Sequence, residues 1–202
     1  MSRAEFPRGA PAHVVLADAN VLYSRVLRDY LLYAATERLI TVNWSQAILA
    51  EVAEHMSANI AGFTFQRAAH LLAKMTEAFP VALVEPGPED FSRIAGYALP
   101  DEDDREVIAS ALAAGADVIC TNNVTDFPRS VVDDLGLAVL PADDLFCRLF
   151  ELDEETMLRV HRTTVLKFRG STDVSTVTAL RKAKAPRTAN HVARLIGLTA
   201  DR

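Results

Sequence analysis

The sequence predicts an α/β fold of three layers, with helices on both faces of a mostly parallel central sheet and a purely helical appendage at the C-terminus. Three observations lead there. Short apolar runs alternate with amphipathic stretches of helical period from residue 13 to about 150. Gly and Pro mark many of the joints between them. After Leu152 the strand-like runs stop, while helical patterning continues.

Taken in order, residues 13–17 form an apolar run ending at Asp18, the pattern of a buried parallel strand. Residues 20–37 place Val21, Leu22, Val26, Leu27, Tyr30, Leu31 and Ala34 at helical spacing. Residues 40–42 make a brief β patch. Ser45 stands as an N-cap before a helix whose apolar stripe is Ile48, Leu49, Val52 and Met56. Residues 64–79 are amphipathic and stop at Pro80. Residues 81–84 read as a strand, Pro86-Gly87-Pro88 as a turn and 89–98 as a short helix. Pro100 opens the acidic loop Asp101-Glu102-Asp103-Asp104. The helix after it carries Val107, Ile108, Ala111 and Leu112 on one face and ends at Gly115. Residues 117–121 are a strand, 127–135 a helix closed by Gly136, and 137–140 a strand. Pro141 starts a helix to about residue 150. Helices over 154–168, 173–184 and 188–198 follow, broken at Gly170-Ser171 and Ala185-Pro186. The chain thus divides into one domain over 13–150 and a basic helical extension over 151–202.

With 202 residues, half of them hydrophobic and 24% charged, there is ample core for one such domain. No apolar run approaches the ~18 residues that span a bilayer. The stretch 1–12 has no apolar segment of signal-peptide length. These point to a soluble cytoplasmic protein without a membrane partner. Cys120 and Cys147 both sit in apolar patterns and read as reduced core cysteines, not as half of a zinc site. The net charge of −6 conceals an asymmetry. Residues 1–155 carry 11 basic and 25 acidic side chains, a balance of −14, whereas 156–202 carry 10 and 2, a balance of +8. An acidic body invites a cation, and a basic tail invites a polyanion or an acidic partner.

In open parallel sheets, sites form beyond the carboxyl ends of the strands. Asp18 follows the first strand directly. Thr121, Asn122 and Asn123 follow a later one, with Asp126 just beyond. Asp104 opens the helix before that later strand, and Glu51 lies in the second helix. Each acid alone has an ordinary reading. Asp18 or Asp126 can cap a helix, Asp104 suits a helix start, and Glu51 can be a surface charge. Together, without a lysine or histidine base, they suit phosphodiester hydrolysis assisted by Mg²⁺ or Mn²⁺. Such hard cations prefer carboxylate oxygens, lower the pKa of bound water and relieve repulsion between packed acids.

Four segments in this order resemble the PIN domain family, and within it the VapC ribotoxins of bacterial toxin–antitoxin pairs. They are Val15-Leu16-Ala17-Asp18-Ala19-Asn20-Val21-Leu22, the stretch from Ser45 through Glu51 and Val52, Asp104-Arg105-Glu106-Val107-Ile108, and Val118-Ile119-Cys120-Thr121-Asn122-Asn123-Val124-Thr125-Asp126-Phe127. The resemblance covers roughly 13–150. It implies a PIN-like fold and a Mg²⁺- or Mn²⁺-dependent endoribonuclease acting on RNA. It further implies Asp18 and Asp104 as the principal metal ligands, Glu51 ligating or orienting water, and Asp126 completing the catalytic cluster. Asn20 would fix the first carboxylate, and Thr121 would hydrogen-bond within the pocket. Many relatives carry an acid where Asn123 stands, so here the fourth charge falls to Asp126, with Asp101 as a second contributor. A cognate antitoxin and a homodimer are the partners implied.

The extension lies outside this resemblance. Its cations, above all Arg181, Lys182, Lys184 and Arg187, are candidates for RNA phosphates. A packing module or a dock for an acidic antitoxin is the competing view. Trp44, Phe63 and Phe65 read as core or helix-packing residues. The stripes Leu31, Ala34 and Leu71, Leu72, Met75 read first as core, with dimer or antitoxin contact as the second view. Two other functions remain in view. One is a PIN-like module that binds RNA or protein without cutting. The other is a phosphatase of the haloacid-dehalogenase type, disfavoured because Asn20 stands where that class needs a second Asp.

Overall fold

Four consecutive apolar residues after His13 make β1 (His13–Ala17) the natural centre of the sheet, and the computed structural model, which describes residues 13–198, places it there. The expectation for residues 1–12 lies outside the described residues. After β1 come α1 (Ala19–Leu22), α2 (Arg25–Thr36), β2 (Ile40–Ser45), α3 (Gln46–Asn59), α4 (Phe65–Ala78), β3 (Leu83–Val84) and α5 (Pro88–Ile94). Then follow α6 (Asp104–Ala113), β4 (Val118–Cys120), a 3-10 turn (Val124–Asp126), α7 (Arg129–Asp134), β5 (Ala138–Leu140) and α8 (Ala142–Leu152). The tail is α9 (Glu154–Lys167), α10 (Asp173–Lys182) and α11 (Pro186–Leu195).

The sheet runs β3-β2-β1-β4-β5. All four pairings are parallel, with Val15 opposite both Val42 and Val118, Trp44 opposite Leu83, and Ile119 opposite Val139. Helices cover both faces, as a wholly parallel sheet requires. The architecture is the expected three-layer α/β/α with C-terminal helices. Trp44, Tyr30, Phe146, Phe150 and Leu16 are among the largest fully buried side chains. Trp44 meets Phe79 edge to face at 6.2 Å, and Tyr30 meets Phe146 at 5.4 Å. Leu31, Ala34, Leu72 and Met75 are buried and Leu71 packs against the core, which accounts for those stripes without a partner. Phe65 departs from expectation, being 58% exposed. Cys120 is buried and Cys147 half-buried, and both are free thiols.

Several boundaries differ from the sequence reading, and each difference has a cause. The helix expected over 20–37 breaks at Tyr23-Ser24, where Ser24 is extended. The buried Arg28 guanidinium turns back to donate to the carbonyls of Leu22 (2.6 Å) and Tyr23 (3.5 Å), satisfying groups that a continuous helix would have used. Strand β2 extends to Ser45 because Trp44 points into the core; Ser45 still caps α3 by accepting from Ile48 N at 3.4 Å. The strand expected over 81–84 shrinks to two residues, since Val81 is 81% exposed on a turn. Pro128 forbids helical continuation from Phe127, so the segment becomes a 3-10 turn, a buried Phe127 and then α7. Asp126 therefore lies in that turn and is not the N-cap of α7.

The tail folds back onto the body. α9 and α10 pack on α2, and α11 packs on α8 and α10. His161, fully buried, joins three helices: its Nδ1 is 2.7 Å from Tyr30 Oη on α2, and its Nε2 is 2.9 Å from Asp173 on α10. A carboxylate can only accept, so Nε2–H donates to Asp173 and Nδ1 accepts from the Tyr30 hydroxyl. Part of the tail's charge meets acids of the body. Arg159 pairs with Glu37 at 3.1 Å, and Arg187 with Asp144 at 2.9 Å.

Candidate active site

Strand order reverses at the junction of β1 and β4, with β2 and β3 on one side and β5 on the other. Asp18 leaves the carboxyl end of β1, and Thr121 the carboxyl end of β4. The two ends are tied by Asp18 N donating to Cys120 O at 3.1 Å. A crevice beyond a switch point is where open α/β sheets place ligands.

Asp18 is only 6% exposed, and its orientation is fixed from both sides. Oδ1 accepts from Ala19 N at 2.7 Å, the cap of α1. Oδ2 accepts from Thr121 Oγ1 at 2.6 Å and from Asn20 Nδ2. Thr121 is the hub. While donating to Asp18 it accepts from Asn20 Nδ2 at 2.8 Å and from Asn123 N at 3.0 Å. Asn20 Oδ1 in turn accepts from Asn122 N at 2.9 Å. The Asp-x-Asn and Thr-Asn-Asn segments thus close one hydrogen-bonded ring across two adjacent strands. Burial raises the Asp18 carboxyl, these donors oppose the rise, and the Asp126 charge adds to it.

Asp104 is the first residue of α6 and half-buried. Burial pushes its carboxyl up to about 7, reinforced by the charges of Asp126, Asp18, Asp101 and Glu51. Arg105 anchors the loop before it, donating to the carbonyls of Ile94 (2.6 Å) and Tyr97 (3.1 Å) and pairing with Glu102 at 2.8 Å. Asp101, exposed, accepts from Asp103 N at 3.0 Å and so shapes the turn. Glu51 stands on α3, half-exposed, 4.0 Å from His55 one turn on. Burial raises its carboxyl, Asp18 raises it further, and His55 opposes. Asn123 turns its side-chain amide toward Asp126 and donates to Oδ2. Asn123 thus fixes the direction of the Asp126 carboxylate.

The charges of Asp126, Asp18 and Glu51 all reach Asp104, yet no three His, Cys, Asp or Glu side chains among the described residues are drawn into a ligating group. In donor chemistry the residues fit a hard divalent cation. They offer carboxylate oxygens, and a positive ion among them would reverse the repulsion that lifts Asp104. The spacing is open, so the side chains must close on such an ion to ligate it.

Of the tail cations, Lys182 and Lys184 line a groove that also contains Asn20 and Asn122, whereas Arg187 pairs with Asp144 and Arg181 donates to Asn190 at 3.2 Å. Sequence reasoning gave no role to Tyr23, His55 or Asn122. The Glu51/His55 spacing of four on one helix was the one available signal. Tyr23 meets His55 edge to face at 6.3 Å, a contact invisible without the break after α1.

The fold is a wholly parallel five-stranded sheet with Asp18 and Thr121 at its switch point. The model of the PIN domain family matches residues 14–125, and the chain belongs to that family, whose members are generally nucleases and typically use divalent metal ions. The match takes in Asp18, Glu51 and Asp104 and ends one residue before Asp126. No curated protein and no solved structure matches. Among the described residues no helix is long and apolar enough to cross a membrane.

Proposed function

We propose that the chain is an endoribonuclease that hydrolyses RNA phosphodiester bonds with Mg²⁺ or Mn²⁺. The observation that carries this reading is Asp104, whose carboxyl is lifted to about 7 by burial and by four neighbouring acids at the switch point of the sheet. An arrangement so unfavourable in the absence of a cation is what a cation site requires. Asp18, Asp104, Glu51 and Asp126 would hold the ion. When bound, it supplies Lewis acidity and lowers the pKa of water. The chain's own residues do the rest. Thr121, Asn20 and Ala19 N hold both oxygens of Asp18 in fixed directions. Asn123 steadies Asp126, and Glu51, half-exposed beside His55, would orient a water molecule.

The VapC resemblance supports a further step: a cytoplasmic toxin acting with a cognate antitoxin, as a homodimer. In this reading residues 13–150 are the nuclease domain and 151–202 a basic extension that binds RNA. The open spacing of the acids favours one alternative, a PIN-like module that binds RNA or protein without cutting.

The test is cleavage of structured RNAs with and without Mg²⁺ or Mn²⁺ by the wild type, Asp18→Asn and Asp104→Asn. Metal-dependent cleavage lost in both variants is the expected result. Equal cleavage by all three would place the activity elsewhere, and RNA binding without cleavage would favour the non-catalytic module.

A further inference from the structure

The groove beside the acids is built by two parts of the chain far apart in sequence. One wall is the break between α1 and α2, with Tyr23 and Arg25. The other is the corner between α10 and α11, with Lys182 and Lys184. Asn20 and Asn122 also line it, and they belong to the ring around Asp18. The groove is therefore continuous with the acidic site, and the C-terminal extension supplies one side of it.

Its charge runs against that of the body. Three cations line it: Arg25 from the acidic part of the chain, where residues 1–155 balance to −14, and Lys182 and Lys184 from the basic extension. Arg25 is held in place by Asp29 at 2.9 Å and by the Phe168 ring, 3.8 Å below its guanidinium. Lys182 and Lys184 are both exposed, and among the described residues neither forms an ion pair. Lys184 also sits where glycine is usual. The corner is a Schellman turn, with Ala185 N donating to Leu180 O at 2.9 Å and Lys184 N to Arg181 O at 3.2 Å, and Lys184 has a φ of 62°. A side chain with a β-carbon is unfavourable in that conformation, yet the position carries a cation that lines the groove.

We propose that this groove binds the single-stranded RNA flank next to the scissile phosphate, with Lys182, Lys184 and Arg25 contacting phosphates and Tyr23 receiving an unstacked base. The inference rests on the ribonuclease reading and makes the extension part of the substrate site. A volume of about 510 Å³ is that of a ligand-sized cleft, and cations along a groove with an aromatic side chain beside them are the features that bind single strands. Of the four tail cations considered from sequence, the groove selects two.

The test uses the full chain in EDTA, so that binding is read without cleavage. Affinity for a short fluorescent single-stranded RNA is measured by anisotropy across a salt series. Lys182→Glu/Lys184→Glu should weaken binding at least tenfold and reduce the salt slope by about 1.4, the release expected for two phosphate contacts on single strands. Arg162→Glu/Arg169→Glu, outside the groove lining, should have a smaller effect. Lys184→Gly should raise Tm by relieving the left-handed backbone and still weaken RNA binding, which separates recognition from folding. Equal losses for the two charge-reversal pairs, or none, would overturn the proposal. So would polyglutamate binding more tightly than RNA, which would assign the groove to an acidic protein segment. If the wild type never cleaves but Lys182→Glu/Lys184→Glu still loses RNA, the nuclease reading fails and the groove stands. If cleavage is metal-dependent and RNA affinity ignores these lysines, the groove fails alone.

Discussion

Asp18 and Asp143 are equally buried, each 6% exposed, and each accepts from backbone at the start of a helix. Their company differs. Asp143 Oδ1 accepts from Thr188 N at 2.8 Å and Thr188 Oγ1 at 2.7 Å, and Oδ2 from Arg187 N at 3.1 Å. It caps α11 from another helix, where the helix's own Ala185 has no side chain to do so. The neighbouring Asp144 holds the Arg187 side chain. Asp18 is also well supplied with donors, but the nearby charges acting on it and on Asp104 are acidic. A buried carboxylate that meets only donors and cations fixes a structure. One that is held rigidly among other acids is kept in an unfavourable state, and such states collect at sites that bind something positive.

The sharpest way to break this contrast is to neutralise each acid in turn. Asp18→Asn should reduce metal-dependent RNA cleavage by about 10²–10⁴-fold, the several kcal/mol expected of lost metal assistance. Cleavage within threefold of wild type would remove Asp18 from the site. Asp143→Ala should leave three donors at α11 without their acceptor and lower stability by about 2–3 kcal/mol in urea unfolding. An unchanged midpoint would mean that water replaces the cap without loss.

The tail anchor sharpens the comparison further, because there a single carboxylate, Asp173, meets an imidazole donor instead of other acids. Tyr30→Phe removes the donor to His161 Nδ1 and should cost about 1–2 kcal/mol. Burial lowers the His161 pKa, opposed by Asp173. The unfolded chain then binds the proton more readily than the folded one. The stabilisation is complete above the ordinary value of 6.5 and is lost as pH falls below it. His161→Gln should flatten that acid-side slope in urea midpoints measured from pH 7.5 to 5. A slope equal to that of wild type would show that His161 does not titrate in this window.

The parts of the fold carried by periodicity were legible in the sequence, and so were the parts of the site at strand ends. β1 announced itself by four consecutive apolar residues before Asp18, and the resemblance named Asp126 as the fourth acid of the candidate site. The structure adds what depends on distant pairs. The Asp143 cap on α11 joins residues 44 and 45 apart, and Tyr30 reaches His161 across 131. Neither separation leaves a local pattern. The break after Leu22 was hidden because its apolar residues keep helical spacing through it; only Arg28, buried and folded back on the carbonyls, ends the helix there. Tail cations were legible as charge, but which of them face the site depends on the corner at Lys184.

Asp104 gives the smallest effect and the most specific one. If its carboxyl is held in an unfavourable state to receive a cation, removing the charge must help the metal-free fold while harming activity. Asp104→Asn keeps the shape of the side chain and removes the repulsion from Asp126, Asp18, Asp101 and Glu51. The side chain is partly exposed, so water screens much of that repulsion and the gain is about 1 kcal/mol. For a chain of this size that corresponds to a rise in Tm of roughly 2–4 °C at pH 8 in EDTA. The gain should shrink towards pH 5, where the wild-type carboxyl, with its pKa near 7, already carries a proton. Added Mg²⁺ should raise the wild-type Tm more than that of the variant, since binding to the folded state alone stabilises it. A variant that melts lower than wild type at pH 8 in EDTA would place Asp104 with Asp143, among the acids that hold the fold.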